Sequence, residues 1–149
     1  MREILKEHLL NIIGDKDAVS MCMQLWDVIQ VWDDLTDGDP VSKEDIHAAF
    51  ITSLIELPKN PFYAAFANEL RPLLMSSILQ WRVANEFEKG AEDNDLNKAY
   101  MLRANFYNVV HYCAYIIYGA DGAENVGPSI LRLYGETLSE FKEEICRIQ

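Results

Sequence analysis

Positive charge is scarce in this chain. Thirteen Lys and Arg stand against twenty-four Asp and Glu, a net charge of −11. A nucleic-acid backbone or an anionic membrane surface would be repelled unless cations bridged the two, so neither is expected as a partner. The balance favours solubility and a protein that binds metal or basic partners. Cysteine is scarce as well. Cys22, Cys113 and Cys146 are odd in number and widely separated, which suits neither a zinc site nor a disulfide framework, and a reducing, cytoplasmic setting is the expectation. Seven Gly and five Pro in 149 residues are too few for a linker-rich or disordered protein. No uninterrupted apolar run reaches the roughly 18 residues of a membrane span. No charged-then-apolar leader with a small-residue cleavage site opens the chain. No alternating Val/Ile/Thr run bounded by turn residues reads as a strand, and there is no internal repeat or low-complexity segment. Half of the residues are apolar. The expectation is therefore all-α: one domain over residues 1–149, folded as a compact bundle of six or seven helices.

Stop and start signals divide the chain. Met1 to Ile13 predicts a helix with Leu5, Leu9 and Ile12 on one face, closed by Gly14. Asp15 or Asp17 caps the next helix, which Gly38 and Pro40 terminate. Ser42-Lys43-Glu44-Asp45 resembles a capping box, and the helix it opens is expected to turn Ile46, Phe50, Leu54 and Leu57 inward and to stop at Pro58. Asn60-Pro61 starts another helix, kinked or restarted at Pro72 and continuing to about Lys89. After the polar turn Gly90 to Asp95, one long helix is expected from about Leu96 to Tyr118, ending at Gly119. The stretch ADGAENVG reads as a loop. A final helix from Pro128 is expected to align Ile130, Tyr134, Leu138, Phe141 and Ile145.

Chemistry concentrates in the second of these helices. At roughly 100° per residue, Asp27, Gln30, Asp34 and Asp37 share one side, with Asp33 at its margin. Met21, Leu25, Val28, Trp32 and Leu35 lie roughly opposite, and Cys22, Trp26 and Ile29 flank the acids. A surface helix carries one apolar stripe and a broad polar face. This one is apolar nearly all round with a narrow acidic seam, which predicts acids facing a cavity. They crowd the C-terminal end, where the macrodipole is negative and each carboxylate costs about 0.3–1 kcal/mol. A divalent cation would offset that, and Mg²⁺ suits one or two carboxylates plus substrate phosphates. Asp33, Asp34 and Asp37 are the candidate metal ligands, and Asp37-Gly38-Asp39 could extend the set. The alternative is a solvated acidic helix end leading into a turn.

Gln30 to Asp39, QVWDDLTDGD, resembles the second aspartate-rich motif of trans-isoprenyl diphosphate synthases, where a Gln precedes Asp-Asp-x-x-Asp and Gly-Asp follows. The resemblance covers these ten residues, and no first aspartate-rich motif lies upstream. It implies a terpenoid-synthase-like all-α scaffold in which Asp33, Asp34 and Asp37 hold Mg²⁺ that grips a diphosphate, with Gln30 beside them.

Other residues bear on such a site. Trp81, Asn85 and Glu88 share a helix face, and Asn85 with Glu88, at i and i+3, forms a possible second metal half-site. Asn105, Asn108, Tyr112 and Tyr115 make a polar-aromatic stripe that could line a pocket, with Arg103 meeting a phosphate. The candidate substrate-binding residues are thus Gln30, Arg103, Asn105, Asn108 and Tyr112. Arg103 is equally able to neutralise the acidic seam, and the Asn and Tyr side chains to hydrogen-bond across helices. His111 could serve as an acid or base, although a lone helical histidine is more often structural.

Two classes of function stay open. One is a Mg²⁺-dependent protein binding or acting on a diphosphate-bearing small molecule. All-α nucleoside triphosphate pyrophosphohydrolases belong to that class, but their Glu-x-x-Glu and Glu-x-x-Asp pattern is not matched cleanly. The other is a non-enzymatic helical interaction protein. One acidic motif where a full synthase has two opposed motifs predicts a homodimer with an apolar helical interface.

Overall fold

The computed structural model describes residues 1–148, and among them the chain is helical with no strand. The helices are α1 (Arg2–Ile13), α2 (Lys16–Asp37), α3 (Lys43–Ile51), α4 (Leu57–Lys59), α5 (Pro61–Lys89), α6 (Asp93–Arg103), α7 (Asn105–Leu131) and α8 (Leu138–Ile148). A π-helical turn, Thr52–Glu56, makes α3 and α4 one continuous rod, so seven helical segments are present among the described residues. Two compact units are present, the first Met1–Asn68 and the second beginning at Glu69 within α5.

In the first unit the caps follow the sequence signals. Gly14 takes the left-handed conformation at the end of α1, with φ 77°, and its N–H returns to Leu10. The Asp15 side chain accepts from the Ala18 N–H at 2.9 Å and so caps α2. At the far end Gly38, φ 78°, and Asp39 donate their N–H groups to Leu35 and Asp34, closing the helix by a Schellman pattern. Leu5, Leu9 and Ile13 of α1 are buried, as are Ala18, Val19, Met21, Cys22, Met23 and Leu25 of α2. Ile12, expected on the inner face, is half-buried, and Ile13 takes the inner place. Burial in α2 stops at Leu25; Trp32 is half-buried and Leu35 is exposed. Asn60 is buried and uses its whole amide. Its Oδ1 accepts from the N–H groups of Phe62 and Tyr63, at 2.9 and 3.0 Å, while its Nδ2 donates to the Asp17 carbonyl at 3.0 Å. One side chain thus caps α5 and ties its start to the start of α2.

The rod from Lys43 to Lys59 departs from expectation. Ser42 caps it as predicted, accepting from the Asp45 N–H at 3.0 Å. Yet α3 has no buried residue, and Ile46, Phe50 and Leu54, expected inward, are exposed; only Leu57 is buried. The cause is a change of register. The residues turned toward the unit are Ala49 and Thr52, half-buried, and then Leu57. An α-helical line from Ala49 would reach Glu56 seven residues on. The Leu57 N–H instead bonds the Thr52 carbonyl five residues back, and this wider turn delays the inward position by one residue. Glu56 stays in water and Leu57 goes in. Pro58 lies within the last turn, α4, instead of ending the rod before it.

In the second unit, α5, α6 and α8 share a core of Ala84, Leu96, Ala99 and Phe141, with Phe87, Tyr100, Leu102 and Ile145 packed around it. Four departures from the expected layout occur from α5 onward. The non-helical residue of α5 is Phe66 (φ −119°, ψ 21°), and Pro72 is carried inside the helix. The expected long helix from Leu96 to Tyr118 breaks at Ala104 (ψ 11°). The stretch 120–127, expected as a loop, is helical: α7 turns at Gly119 (φ 82°, ψ −178°) and continues to Leu131. That conformation is essentially open to glycine alone. The two limbs of α7 meet closely, since a Cβ at buried Gly127 would lie 2.9 Å from His111 Nε2, and His111 Nε2 bonds the Ala123 carbonyl at 2.8 Å. The expected final helix is likewise split, because residues 132–137 separate α7 from α8.

Candidate functional site

The acidic end of α2 was the expected metal centre. Among the described residues no group of three or more His, Cys, Asp or Glu side chains is placed to hold a metal ion. Asp33 and Asp34 are half-buried on α2, Asp37 and Gln30 are exposed, and the helix carbonyls there are satisfied by the Gly38 and Asp39 N–H groups. Thr36 turns its hydroxyl back onto the Trp32 and Asp33 carbonyls, both at 3.0 Å. One acid of the seam has a cation from the chain itself. Arg2 grips Asp27 bidentately, Nε to Oδ1 at 2.7 Å and Nη2 to Oδ2 at 2.8 Å, and this hydrogen-bonded carboxylate raises the Arg2 pKa.

The proposed second half-site assembles around a different cation. Arg103 lies in the last turn of α6, where its charge suits the dipole. Its Nε and Nη2 meet the two carboxylate oxygens of Glu88, each at 2.9 Å, and Nη2 also donates to Asn85 Oδ1 at 2.6 Å. The guanidinium sits 5.3 Å from the Trp81 ring centroid, and Trp81 Nε1 donates to the Arg103 carbonyl at 3.4 Å. The face Trp81–Asn85–Glu88 is thus brought together as the spacing predicted, but as a clasp between α5 and α6. With side chains 17% and 18% exposed, Arg103 and Glu88 satisfy each other. The three oxygens of the expected half-site, Asn85 Oδ1 and both of Glu88, accept from Arg103.

The stripe on α7 is distributed between packing and water. Asn105 is buried, and its Oδ1 accepts from Nδ2 of exposed Asn108 at 3.0 Å. Asn105 Nδ2 is buried with no partner. Tyr112 is half-buried with its ring 5.5 Å from that of Tyr115. His111 is occupied by Ala123. Gln30 belongs to the first unit and the other substrate candidates to the second. Within the second, each is held by a neighbour in its own fold.

What sequence reasoning missed is an apolar surface. Ile46, Phe50, Ile51, Leu54 and Ile55 are all exposed, Phe50 by 68% and Leu54 by 58%. Across the π turn, Phe50 leads to Leu54 in one row and Ile51 to Ile55 in the next, with Ile46 about one α-helical turn before Phe50. The two rows face away from the line Ala49–Thr52–Leu57. A signal was present in the sequence: apolar residues occupy too many positions between Ile46 and Leu57 for a single inward stripe.

Compared with protein-family models, curated proteins and solved structures, the chain matches none. Among the described residues no helix is long and apolar enough to cross a membrane.

Proposed function

We propose that this chain is a non-enzymatic interaction protein that binds a helical segment of another protein on the α3 face. The observation that carries the reading is the exposure of Ile46, Phe50, Ile51, Leu54 and Ile55 on one continuous rod. A contiguous apolar patch in contact with water marks an interaction surface in soluble proteins. Its form favours a helix as the occupant: two rows four residues apart are ridges with a groove between them, and helices pack by setting ridges into such grooves.

The test uses the full chain with isotope-labelled Ile and Leu methyl groups and a panel of synthetic amphipathic helical peptides. The expected result is that at least one peptide shifts the methyl signals of Ile46, Ile51, Leu54 and Ile55 and leaves those of Leu9 and Ile130 in place. Shifts confined to other residues, or none with any peptide, would overturn it. The Mg²⁺–diphosphate reading implied by the aspartate motif has a different signature. An ion that binds the folded chain alone, at 100 times its dissociation constant, adds about 2.7 kcal/mol of stability. The interaction reading expects unchanged melting with Mg²⁺ and inorganic diphosphate, in wild type and in Asp34→Asn alike.

A further inference from the structure

The charge around the α3 face identifies the kind of helix that fits it. Residues 33–59, which carry the face and the end of α2 that leads into it, hold seven carboxylates and two lysines. Four of those carboxylates, Asp37, Asp39, Glu44 and Asp45, are exposed where α2 turns into α3, around Lys43, whereas Glu56 at the other end of the apolar rows lies 4.0 Å from Lys59. The first turn of α3 contains Glu44 and Asp45. An apolar strip with one net acidic end is complementary to a helix whose apolar stripe is bordered by Lys and Arg.

We infer that the occupant of the α3 face is a basic amphipathic helix of another protein, an inference that rests on the interaction reading above. Phe50, Leu54, Ile51 and Ile55 supply the apolar contact, and the exposed carboxylates of Asp39, Glu44 and Asp45 select the positive border. The same charges disfavour a second copy. A two-fold pair would bring together two chains that each carry a net charge of −11, and like charges across an interface work against association. On this inference the free chain is a monomer, where the sequence led to the expectation of a homodimer.

Three synthetic peptides of one length discriminate the possibilities. The first has Leu at i, i+3, i+4 and i+7 with Lys on its flanks, the second has the same Leu positions with Gln on its flanks, and the third has the composition of the first with its Leu positions scrambled. Affinities are read by fluorescence anisotropy at low salt, and the mass of the free chain by light scattering. The expected order places the first peptide at least tenfold tighter than either of the others. Its advantage over the Gln peptide should narrow at high salt, as screening predicts. Phe50→Ser and Leu54→Ser should each weaken the first peptide at least tenfold with unchanged melting, because neither side chain is buried. The free chain should scatter as a 17.1 kDa monomer.

Equal affinity of the Lys and Gln peptides, both lost in Phe50→Ser, would overturn the basic partner and leave the interaction face standing. Equal affinity of the scrambled peptide, or binding unaffected by both substitutions, would overturn the two together. A dimer that Phe50→Asp converts to monomer would show a second copy as the occupant, and would overturn the basic partner.

Discussion

Helix α7 buries ten of its residues and α3 buries none, although both are rich in apolar side chains. The difference lies in how each chain segment finds something to pack against. Gly119 lets α7 reverse, and Gly127 lets the second limb approach until His111 lies over it. The second limb thereby packs on the first at His111. The rod from α3 to α4 has no such reversal. It leans on the first unit along the narrow line Ala49–Thr52–Leu57, and its π turn keeps Leu54 and Ile55 outside. Apolar content therefore does not decide burial by itself; the availability of a second surface does.

Removing the polar clasp of the second unit should cost more than either glycine substitution. Arg103→Ala strands Glu88 in a largely buried place and removes the cation from the Trp81 ring. Loss of a buried pair's partner is strongly destabilising. Discounting for the remaining exposure gives about 3 kcal/mol, read from urea denaturation. Glu88→Gln should cost less, since it keeps the shape and one hydrogen bond. A loss under about 0.5 kcal/mol for Arg103→Ala would put the clasp among ordinary surface pairs.

The turn comes next. Gly119→Ala forces a side chain into a backbone region costing about 1–3 kcal/mol, even though the space around a Cβ is open. A thermal melt unchanged by this substitution would contradict the φ of 82°. Gly127→Ala tests the close approach of the two limbs. The ring of His111 must shift and its bond to Ala123 weaken, at about 1–2 kcal/mol. His111→Ala in the same chain should recover part of the loss, a coupling that independent sites would not show.

The smallest effect concerns Glu136. Burial, first, and then the neighbouring Glu144 and Glu140 hold its carboxyl above the ordinary glutamate range, with the Tyr134 hydroxyl 3.5 Å away opposing the rise. The folded chain therefore keeps a proton that the unfolded chain releases. Through this group, stability rises as the pH falls from neutral toward the ordinary glutamate value, and is lost again as the pH rises through the folded value. Glu136→Gln should be slightly more stable than wild type at neutral pH and should flatten that slope. A steeper slope in the variant would reverse the sign of the argument.

Much of this fold was legible in local chemistry. Gly14, Asp15, Gly38, Ser42 and Asn60 mark helix ends where sequence places them, because caps depend on neighbours within a few residues. The Trp81–Asn85–Glu88 face was legible as a unit, and Arg103 was recognised as a cation seeking acids. That the two belong together was not, since sequence spacing does not report contacts between helices. Gly122 and Gly127 misled for the opposite reason. Two glycines in eight residues predict a loop by propensity, yet close packing, of Gly122 against Tyr118 and of Gly127 against His111, rewards the absence of a side chain. The α3 face was misread because periodicity identifies an apolar side and assumes that it faces inward. A single π turn moved the inward line from Glu56 to Leu57, and no pattern in the sequence announces it.

Paired unfolding measurements on Phe50→Ala and Phe141→Ala test the contrast between exposed and buried apolar residues most directly. Phe141 belongs to the core of α5, α6 and α8 and is 4% exposed, whereas Phe50 is 68% exposed. Truncating the first should cost about 3–5 kcal/mol, and truncating the second should change stability by no more than about 0.5 kcal/mol at any protein concentration. A loss of about 2 kcal/mol or more at Phe50, under conditions where the chain is monomeric, would mean that the α3 face is buried in the chain's own fold.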